Sequence, residues 1–342
     1  MPAKMQDVAR LAGVSTATVS RVINNPDLVS GETYNRVMAA IEELDYKLNL
    51  AARNLRTNQT RTIAVLLPSI AEPVINTIVE AIEDAAIEAD YTLLLCSTRG
   101  DIDREEAHIR LLTNHAAVDG VLVVSPRSAP TQIQRLVQGE VPLVMCNYRM
   151  DNTHAPSLMV DHVSSLYQTT DHLLELGHRR IALLNLAGPH YYPARMRREG
   201  FERAFITHGA QPDPSLIIEI ARPTYENTDW RADISRLLDR AAPPTAIVAF
   251  NDEVALQVYA VCRERNLRIP EDLSVTGCDD IMTSRYVEPP LTTVRVPAAE
   301  QGHQAMTLLL EWMQNPDQPV PPPEVLPVEL IVRESCAPPG GN

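Results

Sequence analysis

Ser15, Thr16, Ala17, Thr18, Ser20, Arg21 and Asn24 fall within ten residues, and their types suit one task. Hydroxyls, a small methyl, an amide and a guanidinium are the groups that read base edges and grip phosphate in the DNA major groove. At helical spacing Thr16, Ala17, Ser20 and Arg21 share one face, while Val19 and Ile23 turn toward Val8, Ala12, Val37 and Ile41. Ala9, Gly13 and Val19 stand where a helix-turn-helix needs a small residue at the crossing, a tight turn and an apolar anchor. Ser15 is placed to cap the second helix.

A second set of polar residues follows apolar runs. Asn147 ends Val141–Cys146, Arg197 lies beyond Arg180–Leu186, Asn251 follows Ala246–Phe250, and Asp279 follows Ser274–Cys278. Asp161 opens what reads as a second lobe. Singly, each has an ordinary use as a helix cap, a turn residue or a surface charge. Jointly they follow successive strands, whose end loops are the binding positions of open α/β folds, but the strand pattern alone does not bring them to one cleft. Catalytic signatures are missing: there is no Gly-x-Gly-x-x-Gly, Gly-x-x-x-x-Gly-Lys, Gly-x-Ser-x-Gly or His-Glu-x-x-His. His172 and His178 are six apart and on different helical faces, so neither enzyme nor metal site is expected, and no cofactor.

The elements that must position these residues are legible in outline. Met5 to Ala12, Thr16 to Ile23 and Glu32 to Leu44 read as three helices of a small head. From Thr62, apolar runs at Thr62–Leu67, Tyr91–Cys96, Gly120–Val124 and Val141–Cys146 each precede an amphipathic stretch, which is the βαβ alternation of a parallel sheet. The series resumes at Arg180–Leu186, and Val325–Val332 reads as one last strand. The fold expected is α/β: a helix-turn-helix head over 1–47, a linker over 48–61, and a two-lobed core with parallel sheets over 62–333. Lobe 1 is placed at about 62–158 and 294–322, lobe 2 at about 159–293 and 323–333, and 334–342 is expected to be a disordered tail.

Charge separates the same two parts. The 342-residue chain carries −14, yet its first 61 residues hold eight Lys and Arg against six Asp and Glu. A near-neutral head can approach a polyanion while an acidic body keeps the molecule soluble. No apolar run nears the ~20 residues of a membrane helix, and no signal peptide is legible, so a cytoplasmic, nucleoid-associated protein with no membrane partner is expected. The five cysteines are odd in number and scattered, and read as small apolar residues.

The run Val8-Ala9-Arg10-Leu11-Ala12-Gly13-Val14-Ser15-Thr16-Ala17-Thr18-Val19-Ser20-Arg21-Val22-Ile23-Asn24 closely resembles the lactose-repressor family of bacterial transcription regulators. The resemblance continues through Asn49-Leu50-Ala51-Ala52-Arg53-Asn54-Leu55 and nearly the whole chain. It implies a hinge helix over Asn49–Arg56, with Ala52 allowing close approach in the minor groove and Leu55 wedged into a base step, an apolar wedge being able to kink the duplex. It further implies a periplasmic-binding-protein-like core in which Arg197, Asn251 and Asp279 contact an effector and Asp252 caps a helix. The resemblance therefore leads us to expect a ligand-responsive repressor that binds a palindromic operator as a homodimer. Pro73-Val74-Ile75 and Ala221-Arg222-Pro223-Thr224-Tyr225 depart from the family's aromatic pattern, although Tyr148, Tyr191, Tyr192 and Tyr225 could substitute. A sugar is the first expectation for the effector, with a nucleoside, a purine or a small acid as alternatives. A cytosolic sugar-binding or sugar-processing α/β protein with a helical appendage is the rival reading.

Overall fold

The computed structural model describes residues 3–24, 28–46, 59–113, 118–124, 130–139, 141–149, 155–188, 191–220, 229–315 and 318–340. By backbone contacts the chain divides into two units, Met1–Gln59 and Thr60–Asn342.

Helices of the length seen in the first unit are marginal alone and need a shared core. The three are α1 (Met5–Leu11), α2 (Thr16–Asn24) and α3 (Gly31–Glu43), within a residue of the sequence reading. They bury Val8, Ala9, Ala12, Val19, Val22, Val37 and Ala40 together. Val22, three residues after Val19, takes the inner place expected of Ile23, which is only partly buried. Gly13 has φ +63°, a conformation glycine adopts at little cost, and it makes the turn between α1 and α2. Just beyond the end of α1, Arg36 of α3 satisfies the carbonyls of the turn: its Nη2 donates to Ala12 O at 2.6 Å and to Gly13 O at 3.2 Å.

In the second unit, strands covered on both faces carry continuous apolar runs. β1 (Thr62–Leu67) sends Ile63, Val65 and Leu67 to one core and Ala64 and Leu66 to another. With β2 (Thr92–Ser97), β3 (Gly120–Val124), β4 (Leu143–Cys146), β5 (Ser157–Val160) and a late strand at Glu324–Leu326 it forms a parallel six-stranded sheet. The second sheet is parallel, ordered β7 (Ile217–Ile220), β6 (Ile181–Leu186), β8 (Ala246–Ala249), β9 (Ser274–Thr276). Beside β9 of the second sheet runs an antiparallel ribbon of β10 (Thr293–Arg295) and β12 (Glu329–Ile331), with Arg295 opposite Glu329.

Three expectations need correction. The single strand read at Val325–Val332 is two, β11 (Glu324–Leu326) in the first sheet and β12 in the ribbon, because residues 327–328 carry the chain from one lobe to the other. The lobe boundaries move accordingly. β5 and β11 pair with each other in lobe 1, and the ribbon lies with lobe 2, so the chain crosses after Val160, between Arg295 and Ala298, and between Leu326 and Glu329. The tail expected to be disordered from 334 is ordered in its first part. Ser335 is fully buried, its Oγ accepts from Thr292 N at 2.8 Å and donates to Val275 O, and its carbonyl accepts from Val275 N. Ala337 O meets His178 Nε2 at 2.9 Å. Short polar residues there find partners that only the fold supplies. Deleting residues 334–342 should therefore lower the thermal midpoint by about 6 °C or more, since several hydrogen bonds of about 1 kcal/mol each are lost. An unchanged midpoint by calorimetry would show that the segment carries no stability.

Candidate functional site

In the first unit, Ser15 begins α2 as expected: its Oγ accepts from Thr18 N at 3.0 Å and lies 2.9 Å from Thr18 Oγ1. That contact engages the half-buried Thr18, and Ser20 is also half-buried. Thr16, Ala17 and Arg21 are exposed on the helix, a compact polar and cationic face. Asn24 is the last residue of α2, and Ala52 and Leu55 lie outside the described residues.

In the second unit the two lobes enclose a cleft of about 120 Å³. From lobe 1 come Glu72, Val74, Ile75 and Ile78 at the start of α4 (Pro73–Glu88), Asn147 after β4, and Gln301 in the first turn of α11 (Ala298–Gln314, the helix after β10). From lobe 2 come His162 at the start of α7 (His162–Glu175), Tyr191 and Arg197 at α8 (Tyr192–Thr207), and Phe250, Asn251 and Asp279 beyond strand ends.

Two glycines allow this convergence. A Cβ on Gly200 would sit 2.0 Å from Val163 O, so α7 and α8 cross at backbone distance and bring His162 to Arg197. A Cβ on Gly302 would sit 2.3 Å from Ile78 O, so α4 and α11 cross equally closely, next to Gln301.

Several buried groups of the cleft have no partner: both ring nitrogens of His162, Nε and Nη1 of Arg197, and Oε1 of Gln301. Buried polar groups are normally paired, and a group left without a partner costs about 1–3 kcal/mol. Burial, and then the neighbouring Arg197, hold the His162 pKa well below its ordinary value, so the ring is neutral. Burial opposes the Arg197 charge, but Tyr191, Cys278 and Asp279 hold its pKa above the ordinary value. Its guanidinium also lies 5.5 Å above the Phe250 ring. Asp279 is raised well above the carboxylate range by burial first, then by Asp252, against the pull of Arg197.

Residues 4–49 match the family described as bacterial regulatory proteins, lacI family, and residues 170–336 match the periplasmic binding protein-like domain. The chain is 33% identical over 338 residues to the HTH-type transcriptional repressor PurR of Haemophilus influenzae (strain PittEE), covering 97% of this chain and 98% of that one. It is 35% identical over 317 residues to the HTH-type transcriptional repressor CytR of Escherichia coli (strain K12), covering 92% and 90%. The chain belongs to the lacI family of bacterial regulatory proteins. The structure of the lac repressor dimer bound to operator and the anti-inducer ONPF is similar over 98% of this chain and 100% of that one, with TM-score 0.85 and 29% identity. The CelR–cellobiose complex is similar over 97% and 99%, with TM-score 0.73 and 31% identity.

Within this lacI-family chain, Arg197, Asn251, Asp279 and Asn147 do converge on one cleft. Asp161 does not line it. Its carboxylate caps α7, accepting from Ser164 N at 2.8 Å and Ser164 Oγ at 2.6 Å, and the next residue, His162, reaches the cleft instead. The roles expected of Asn251 and Asp252 are exchanged in part. Asn251 is the helix cap of α10 (Asp252–Glu264), its Oδ1 accepting from Val254 N at 3.0 Å. Asp252 is fully buried and accepts from Ile281 N at 2.9 Å and from the Thr293 hydroxyl. The Oδ1 of Asn147 is already engaged by Val160 N and Gln301 Nε2. Of the tyrosines expected to replace missing aromatics, Tyr191 lines the cleft, Tyr148 is in the lobe 1 core, Tyr192 packs against that core, and Tyr225 lies outside the described residues. Sequence reasoning missed Phe250, Trp230, His162 and Gln301. Phe250 ended a recognised strand and carried a signal, whereas Gln301 and His162 sit in helix first turns among ordinary polar residues.

Burial, its largest cause, raises the Asp252 pKa to about 6. A carboxyl whose folded pKa exceeds its unfolded one stabilises fully below the unfolded pKa, near 4, and loses that contribution as pH rises through about 6. Relative to Asp252→Asn, whose amide can still accept from Ile281 N and donate to Thr293, the wild type should lose about 3 kcal/mol of unfolding free energy between pH 4 and pH 7. Parallel urea-denaturation profiles for the two proteins would refute this.

Proposed function

We propose that this protein is a ligand-responsive transcriptional repressor that binds a palindromic operator as a homodimer in the cytoplasm, controlled by a small effector in the inter-lobe cleft. The observation that carries the reading is that His162, Arg197 and Gln301, which keep buried polar atoms without partners, line one cavity. A site assembled from both lobes is the expected seat of a ligand whose hydrogen bonds complete those groups. It accompanies a head that matches the lacI family. The relatives named as repressors and the operator-bound lac repressor dimer support DNA as the partner and a dimer as the working form. No helix among the described residues is long and apolar enough to cross a membrane.

In the effector site we place Arg197 as the charged contact, Asp279 as a carboxyl contact, His162 and Gln301 as completing ones, and Asn251 and Asn147 at the rim. In the operator site we place Thr16, Ala17 and Arg21 as base contacts, Ser15, Thr18, Ser20 and Asn24 as orienting residues, and Ala52 and Leu55 as minor-groove contacts.

The cleft volume of about 120 Å³ compares with an engineered cavity of roughly 150 Å³ that holds benzene, which favours a ligand of one ring. Glu72 and Glu253 line it beside Asp279, whose carboxyl is pushed toward the neutral form by burial, against the single guanidinium of Arg197, which favours a neutral, donor-rich ring over an acid. Binding rather than turnover is the reading adopted, since the relatives that align over nearly the whole chain are named as transcriptional repressors.

Two measurements test this. In a thermal-shift panel of D-ribose, D-glucose, adenosine, cytidine and hypoxanthine, a true effector at 100 times its dissociation constant adds about 2.7 kcal/mol, and Arg197→Ala should abolish the shift. Silence from every compound would count against the cleft as the effector site. With a palindromic duplex selected from a random library, Arg21→Ala should cost about 1–3 kcal/mol on that duplex and little on random DNA. Equal losses on both would remove Arg21 from base readout, and specific binding that survives deletion of residues 1–59 would overturn the operator reading.

A further inference from the structure

The backbone beside the cleft is strained at two consecutive residues. Asp279 has φ +124° and Asp280 φ +55°, a region L side chains rarely adopt. Such residues persist where their surroundings over-determine them, and they cluster at functional sites. Here the surroundings are specific. Asp279 N donates to Val294 O at 2.8 Å, and Ile281 N donates to the buried Asp252 carboxylate. Gly277 admits that carboxylate, for a Cβ there would stand 2.2 Å from Asp252 Oδ1. The Asp280 carboxylate, 1% exposed, is surrounded by three guanidiniums: Arg333, Arg295 with Nε at 2.9 Å, and Arg285 at 3.2 Å.

Arg295 does more than neutralise. Its Nη1 reaches Glu329 Oε2 at 2.9 Å, opposite it on the β10–β12 ribbon, and both strands lead to lobe 1, one into the helix that bears Gln301 and the other back from β11. One guanidinium thus ties the loop of the cleft-lining Asp279 to two of the three passages between lobes.

We propose that Asp280 and Arg295 are positioning residues that lock the Cys278–Ile281 loop to the β10–β12 ribbon, so that occupation of the cleft at Asp279 and the geometry of both crossovers change as one event. Neither residue lines the cleft. The link to operator control rests on the repressor reading above, whereas the link between loop and ribbon does not.

Two readouts on the full-length protein separate them. The first is hydrogen exchange without effector or DNA. Arg295→Met keeps an aliphatic stem and cuts both ion pairs, and Arg295→Lys restores one charge. In Arg295→Met the amides of residues 279–281 should exchange at least tenfold faster while those of Ile181–Leu186 and Ala246–Ala249 exchange as in wild type, with Arg295→Lys in between. Should Arg295→Met lose protection throughout the second lobe, Glu329→Gln, at the exposed end of the network, is read in its place. The second readout uses the same five compounds as probes. In Arg295→Met the factor by which an active probe shifts operator affinity should fall at least fivefold, with probe-free operator affinity within twofold of wild type. Unchanged exchange at 279–281 overturns the proposal whatever the probes do, and so does a coupling factor equal to that of wild type. A wild type silent to every probe would count against the cleft as the effector site and leave exchange to decide the loop–ribbon link.

Discussion

The helix-borne groups of the cleft come from two helix pairs, one in each lobe, that pack more closely than side chains ordinarily allow. That packing is possible at Gly200, which lets α8 touch the backbone of α7 at Val163, and at Gly302, which lets α11 touch α4 at Ile78. The crossings lie near the first turns of α7 and α11, the turns that carry His162 and Gln301. A methyl group at either glycine would meet backbone oxygen rather than a yielding side chain, so the helices would have to separate and the cleft groups with them.

The site also carries a thermodynamic cost. His162, Arg197 and Gln301 keep buried polar atoms without partners, Asp252 is a carboxylate away from water, and Asp279 and Asp280 hold strained backbone. Each alone would favour rearrangement. Two apolar cores on the faces of each sheet hold the frame, with Ile63, Val65 and Leu122 on one side of the first and Leu183 and Phe201 on one side of the second. A rigid frame with an unsatisfied centre is what a ligand can stabilise, since it completes hydrogen bonds without having to order the protein. Unlike the cleft, the ion pairs around Asp280 are complete, which suits a part that holds geometry rather than one that awaits a partner.

The head follows a different economy. It buries a few small side chains around Val19 and Val37, uses Arg36 to close the turn at Gly13, and leaves a short face of Thr16, Ala17 and Arg21 to solvent. Its near-neutral charge beside a strongly acidic body separates the part that can meet polyanion from the part that repels it.

The helices of the head and most core strands were legible because their signals are local. A period of 3.6 with Gly13 and Ser15 at the turn, or an apolar run such as Gly120–Val124 buried on both faces, is decided by near neighbours in the chain. Arg197, Asn251 and Asp279 stood out through the family resemblance, Asn251 and Asp279 also following strands closely. Three strands gave little signal: Ser157–Val160, Ile217–Ile220 and Thr293–Arg295 are short, and their pairing is with distant partners. The same holds for Ser335 and Ala337, which look like a polar tail until Val275, Thr292 and His178 are beside them. Asp161 and His162 make the point most sharply. By sequence the aspartate is the better ligand-binding residue, yet one step along a helix start turns it inward as a cap and sends the histidine to the cleft. Residue type and spacing therefore determined which elements form and which residues stand at their ends. Which of two adjacent side chains faces the cleft was decided only by the tertiary structure, because helix crossings and long-range hydrogen bonds set that direction.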